Sequence, residues 1–337
     1  MTSAGRRVAT VAVALSIACT AALSGSTASA TADPGSALVS QSRAAASTTR
    51  FSGDVVVEWT DATGRHRRTV HVVGKPGSMQ VGDQAIVGAG SQRIVRTDGD
   101  WSLLWDATAA PAPAPDRKYD LSMRPGPEIA GHATTLLTAR TGTSGRVSER
   151  LYFDVETSLL LRRELLDGSG RVVRSIGFSR IAGLVRAPHA GKARVPAATG
   201  ESSAPRAVRH VDGEYDVPSS LGNGYRLIGR YEHPDGTLQV LYSDGLLAMS
   251  VFEQQGELDW SALPAGGRTR RVAGRTVRVY ESAGAVAVVW PRGGLVFVCV
   301  TEAPTRDVAA AVDGMNPDRG GLWSSLVELA TGPFSWG

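Results

Sequence analysis

Short runs of β-branched and aromatic residues, alternating with polar ones and divided by turn residues, fill most of the chain. In the run 51–60, Val55, Val57 and Trp59 share one face; Asp61-Ala62-Thr63-Gly64 turns the chain and 69–73 returns it. Further strands are expected at 84–88, 92–97 and 101–105, with a turn at Asp98-Gly99-Asp100. The clearest pattern is 150–154, then 159–166, then 171–178 after the turn Asp167-Gly168-Ser169-Gly170, a meander of antiparallel hairpins. Helical signal is confined to 36–46, which is short and rich in alanine. A strongly curved antiparallel sheet with few helices fits this half.

From 188 to 220 the periodicity stops, and Pro188, Pro196, Pro205 and Pro218 stand among Ala, Gly and Ser. Such a stretch buries too little apolar surface to offset its ordering entropy and reads as a linker. A shorter proline-rich stretch, 109–115, reads as a loop inside the first domain. Beyond the linker, strands are expected at 225–231, 238–242, 246–252, 276–281, 285–290 and 295–301. A helix over 304–312 opens with proline in its first turn, and 318–331 suggests one more short helix.

The N-terminus changes the compartment. Arg6-Arg7, an apolar stretch over 8–23 and Ala28-Ser29-Ala30 follow the order of a signal peptide, so cleavage is expected near Ala30 and the mature protein is placed outside the cytoplasm. Cys19 offers a lipidation site, but the large apolar residue that usually stands three places before such a cysteine is missing. The chain carries 36 basic and 32 acidic side chains; losing Arg6 and Arg7 leaves a net charge of +2, which is no nucleic-acid footprint. Cys299 would then be the one cysteine left, lying in an apolar run and reading as a packed core thiol.

No Walker loop, Gly-x-Ser-x-Gly elbow, His-Glu-x-x-His or Ser-x-x-Lys is present, so no catalytic, cofactor or metal residue is assigned. The six histidines form no ligand-spaced cluster, and His66 and His71 are expected on opposite strand faces. Triads scattered in sequence are invisible at this level, and a hydrolase stays open on that ground alone. Two arginine clusters, 65–68 and 268–278, read either as solvated faces or as contacts for anionic headgroups or an acidic segment.

Several segments taken together resemble the RseB/MucB family of envelope-stress regulators. In the first half they are Phe51-Ser52-Gly53-Asp54, Thr69-Val70-His71, Ile129-Ala130-Gly131-His132, Leu151-Tyr152-Phe153-Asp154 and Arg163-Glu164-Leu165-Leu166-Asp167. In the second they are Tyr242-Ser243-Asp244-Gly245-Leu246, Ser250-Val251-Phe252-Glu253 and Val300-Thr301-Glu302-Ala303-Pro304. The resemblance implies a mainly β protein: a half-open antiparallel β-barrel similar to the lipoprotein carriers LolA and LolB, followed by a smaller mixed α+β domain. The expected division is signal peptide 1–30, barrel 31–186, linker 187–220, α+β domain 221–315 and tail 316–337.

It also implies a function: binding the extracytoplasmic domain of an anti-sigma factor, with release when a lipid or acyl-chain ligand occupies the barrel. A lipid or lipoprotein carrier of the cell envelope is the alternative. Val57, Trp59, Leu103 and Trp105 are the expected lining of the lipid cavity. Tyr242, Ser243, Asp244, Gly245, Phe252 and Glu253 are the expected partner surface, with a well-formed structural hairpin as the competing reading. Alanine and arginine usage, the long linker and the tail suggest an actinobacterial-type relative, so the ligand of other members is not carried over. His132 stands where the family pattern leads one to expect arginine.

Overall fold

The computed structural model describes residues 33–61, 64–75, 78–81, 84–87, 93–97, 100–105, 113–142, 144–186, 206–208, 215, 217–233, 235–282 and 285–315; over 78–105 it describes the backbone course of the strands. The expected signal peptide, most of the expected linker and the helix expected at 318–331 lie outside these residues.

The first unit opens with α1 (Pro34–Thr48), followed by β1 (Thr49–Asp61), β2 (Gly64–Lys75), β3 (Ser78–Val81) and β4 (Gln84–Val87). Then come β5 (Arg93–Thr97), β6 (Asp100–Trp105), β7 (Tyr119–Pro125), β8 (Thr134–Thr141), β9 (Val147–Asp154), β10 (Leu160–Leu166) and β11 (Val172–Arg186). Nine of these strands form one open antiparallel sheet in the order β4-β3-β2-β1-β11-β10-β9-β8-β7, while β5 and β6 make a separate ribbon. Alternation dictates the packing: Phe51, Val55, Val57 and Trp59 of β1 are buried, and the residues between them are half-exposed. Bulges where β1 meets β11, at Arg50/Ser52 and Asp54/Val55, bend the sheet. The Asp33 carboxylate caps α1 by accepting from the Gly35 and Ser36 amides, and Pro34 sits in the first turn. The helix lays Val39, Leu38 and Ala46 on the core of the sheet.

The second unit contains β12 (Arg206–Ala207), β13 (Arg226–Glu232), β14 (Leu238–Ser243), β15 (Ala248–Gln255), β16 (Arg268–Val272), β17 (Arg275–Ser282), β18 (Ala285–Arg292), β19 (Leu295–Thr301) and α2 (Thr305–Gly314). Its sheet is antiparallel in the order β12-β13-β14-β15-β19-β18-β17-β16. One face is covered by α2 through Val308, Ala311 and Val312, over a core that holds Trp290 stacked on Phe297 at 5.3 Å. β12 falls inside the expected linker and pairs with β13, and Val217 packs on this core.

The mainly β, unclosed architecture agrees with the sequence. Five strands were not expected: β3, β7, β8, β12 and β16. β7 and β16 are largely exposed, and β8 is rich in threonine, so none shows a long apolar face. The turn after β14 also differs from a two-residue Asp-Gly hairpin. Ser243 pairs with Ala248, leaving Asp244-Gly245-Leu246-Leu247 as the loop, because the Asp244 carboxylate accepts from both the Leu246 and Leu247 amides.

Cys299 on β19 is fully buried, and that burial pushes its thiol up to about 12. In protein lacking residues 1–30, Ellman's reagent at pH 8 should leave the folded chain unlabelled and titrate one thiol after denaturation. Rapid labelling of the folded protein would show that β19 is not packed as described.

Candidate functional site

The two units meet through the tip of the β14–β15 hairpin. Gly245 has φ +102°, and a Cβ there would lie 2.6 Å from the Pro113 carbonyl oxygen, so only glycine allows this approach. The neighbouring Leu246 enters the core of the first unit beside residues of α1, β9 and β10. Arg43 of α1 donates to the Gly245 carbonyl. The tip of one sheet thus fills part of the other.

Buried charges surround it. Lys118 donates to Asp244 and, at 3.0 Å, to Asp307 of α2, and its ammonium lies 4.4 Å from the centre of the Tyr225 ring. Tyr119 donates to Asp244 at 2.7 Å and Tyr225 to Asp307 at 3.2 Å. Burial first, then the Asp244 carboxylate, drives the Tyr119 phenol well above its ordinary range, so it stays a neutral donor. A second group centres on Arg163, which reaches Glu149 at 3.0 Å, Glu302 at 3.1 Å and the Leu246 carbonyl at 3.2 Å. Arg174 also contacts Glu302. Lys118, Glu149, Arg163 and Arg174 belong to the first unit; Asp244, Glu302 and Asp307 belong to the second.

Beside this junction opens a cleft of about 620 Å³, lined from the first unit by Trp59, Leu166 and Val173 and from the second by Val286, Ala303 and Arg306. Its apolar floor and charged edge suit an extended segment with a few anchoring side chains. A second space, about 30 Å³, lies between α1 and the sheet, lined by Val39, Leu151, Phe153 and Leu160. That is room for about one water molecule.

Of the lipid-cavity candidates, Val57 and Trp59 are buried in the first core; Trp59 stacks on His66 at 5.1 Å and reaches the cleft. The side chains of Leu103 and Trp105 lie outside the described residues. Their strand, β6, is not in the sheet of β1 and runs instead near β17 and β18. The structure therefore does not gather the four on one sheet. The partner candidates Tyr242, Ser243, Asp244, Gly245, Phe252 and Glu253 are all buried. Tyr242 donates to the Pro218 carbonyl inside the second unit, Phe252 packs with Val289, Val296 and Val298, and Asp244 and Gly245 make the junction.

Sequence reasoning missed Lys118, Glu149, Arg163, Arg174, Glu302 and Asp307. Three carried a readable signal. Arg163 follows Leu161, Glu149 precedes Leu151 and Phe153, and Arg174 precedes Ile176 and Phe178, each at the buried register of its strand. A charge in an apolar register must find a partner.

On the β1–β2 face, Ser52 Oγ lies 3.2 Å from His71 Nε2, and His71 Nδ1 lies 2.8 Å from Asp54 Oδ1. The order is that of a hydrolytic triad. However, β1 is hydrogen-bonded on both sides there, which engages the amides that would hold an oxyanion, and neither cleft includes these residues. The hydrogen bond from His71, with Arg180 at 2.7 Å, holds the Asp54 carboxyl below its ordinary range. This is a surface network.

Residues 37–196 match the family model described as the MucB/RseB N-terminal domain. That stretch, the first unit of the fold, therefore carries a MucB/RseB N-terminal domain. Among solved structures it is similar to the Pseudomonas aeruginosa MucA/MucB complex, with 19% identity over 83% of this chain and 96% of that chain and a TM-score of 0.44. It is similar to MucB alone, with 18% identity over 82% and 96% of the two chains and a TM-score of 0.47. It is also similar to MucB in complex with MucA(peri), with 20% identity over 82% and 97% and a TM-score of 0.44. No curated protein matches the chain.

Arg163→Ala should cost about 3–5 kcal/mol in urea denaturation, because it leaves Glu149 and Glu302 buried without their shared cation. A loss below about 1 kcal/mol would mean that the junction is hydrated and the carboxylates are not confined.

Proposed function

We propose that this protein is an extracytoplasmic regulator of an envelope-stress sigma factor, and that it binds the extracytoplasmic segment of a membrane-anchored anti-sigma factor in the cleft between its two units. The match of residues 37–196 to the MucB/RseB N-terminal domain supports the partner class. The cleft carries the placement: it joins both units, and its floor supplies apolar anchors within a charged edge. The six buried candidates of the second unit act indirectly, by docking the hairpin tip that fixes the width of the cleft. The expected signal peptide and the MucB/RseB N-terminal domain match both support a site outside the cytoplasm.

A lipid-like ligand enters this proposal as a competitor of α1. Val39 and Leu38 already cover the core of the sheet, so an acyl chain on that face takes the place of the helix.

The direct test uses a synthetic peptide of the anti-sigma extracytoplasmic segment and calorimetry. Leu166 and Val286 are half-buried in the cleft wall, so Leu166→Glu and Val286→Glu should fold. Each should weaken binding by about 1–3 kcal/mol, the range of an interface hot spot. Unchanged affinity in both folded variants would remove the cleft as the site.

A further inference from the structure

The two arginine clusters of the sequence have different fates in the fold. In the first, Arg65 and Arg67 on β2 face Glu58 across the ladder at 3.4 and 3.9 Å, and their charge is locally answered. The second occupies the β16–β17 hairpin, with Arg268, Arg270, Arg271, Arg275 and Arg278 paired strand to strand around a tight turn at Ala273-Gly274. No acidic residue occurs between Asp259 and Glu281, and none of these five guanidiniums forms an ion pair among the described residues. β16 is the outermost strand of its sheet, and Arg268, Arg270 and Arg271 are exposed.

The distribution of the charge selects the partner. By register, Arg268, Arg270 and Arg275 lie on one face of the hairpin, and Arg271 and Arg278 lie on the other. The charge therefore surrounds the hairpin instead of lining the free edge of β16, where an added peptide strand would need it. The five arginines line neither described cleft, and of this hairpin Glu281 at the far end of β17 reaches the larger one, so an acidic peptide would find no pocket for an anchor beside the arginines. A plane of anionic groups asks for no pocket. The half-buried Trp260, in the segment leading into β16, adds an aromatic ring with a polar edge, the kind of side chain that settles at a headgroup layer.

We propose that the β16–β17 hairpin is a membrane-surface site that binds anionic phospholipid headgroups. It holds the protein electrostatically beside the outer face of the membrane, within reach of a membrane-anchored partner. The inference is independent of the cleft, since none of the five arginines lines it.

Sedimentation with vesicles of phosphatidylcholine containing 30% phosphatidylglycerol tests it, with pure phosphatidylcholine as the reference, at roughly 50 mM salt where screening is weak. The full mature chain should bind the anionic vesicles and not the reference. Arg268→Gln/Arg270→Gln/Arg271→Gln should lower the partition coefficient by about 100-fold, since each arginine near an anionic surface accounts for about a fivefold change. These side chains are exposed, so circular dichroism should be unchanged. Arg65→Gln/Arg67→Gln/Arg68→Gln removes the same formal charge elsewhere and should leave binding within a few-fold. Equal losses in the two triple variants, or no binding to anionic vesicles, would overturn the proposal. So would tight binding of a Glu-rich peptide that the hairpin variant abolishes while vesicles stay unbound, which would assign the hairpin to a protein partner.

Discussion

Seven charges at the junction, six of them buried and Lys118 half-buried, constrain everything else in this fold. Lys118, Arg163 and Arg174 on one side meet Asp244, Asp307 and Glu302 on the other, with Glu149 sharing Arg163. Removing such groups from water costs several kcal/mol per ion, and their mutual attraction returns it only when every partner is in place. The network therefore contributes little net affinity between the units but punishes any displaced arrangement. The apolar gain comes from Leu246, whose insertion into the first core is worth about 1.5–3 kcal/mol. Leu165 of β10 adds to this by packing on the second core; the apolar contacts supply attraction, and the charges around them fix the position.

This division of labour accounts for the whole segment Tyr242-Ser243-Asp244-Gly245-Leu246. Each position is bound by a different requirement: Tyr242 by a hydrogen bond to Pro218, Ser243 by a bond to the Leu247 carbonyl, Asp244 by Lys118 and Tyr119, Gly245 by its approach to Pro113, and Leu246 by the core it enters. A segment so constrained has no freedom to serve as an exposed surface. Its constraints come from the contact between the units, and the cleft beside it inherits its geometry.

Much of the architecture was legible because alternation reports burial directly. Val55, Val57 and Trp59 fell on the buried face of β1, and the meander 150–178 became β9, β10 and β11. The site was less legible because it joins residues far apart in the chain: Lys118 and Asp244 are separated by 126 positions, and Arg163 and Glu302 by 139. Nothing local announces such pairs. What was present was a set of half-signals, Glu149, Arg163 and Arg174 standing in apolar registers, and each shows that a partner is required without saying where it lies. Exposed strands such as β7 and β16 failed for the opposite reason, since a strand with little buried face leaves little alternation to read.

The small net charge of the chain conceals a segregation with consequences in solution. At the junction each charge faces an opposite one in an interior that salt barely reaches. At the β2 edge Glu58 answers Arg65 and Arg67 in water, where such pairs contribute little. At the β16–β17 hairpin Arg268, Arg270 and Arg271 are exposed and form no ion pair among the described residues, so their field extends outward over about 8 Å at physiological ionic strength. Ionic strength therefore acts on these regions separately: it weakens what the hairpin attracts, changes the β2 edge slightly, and leaves the docking of the two units intact. Attachment to a charged surface can then vary with conditions while the cleft keeps its shape, because the two depend on charges in different dielectric surroundings.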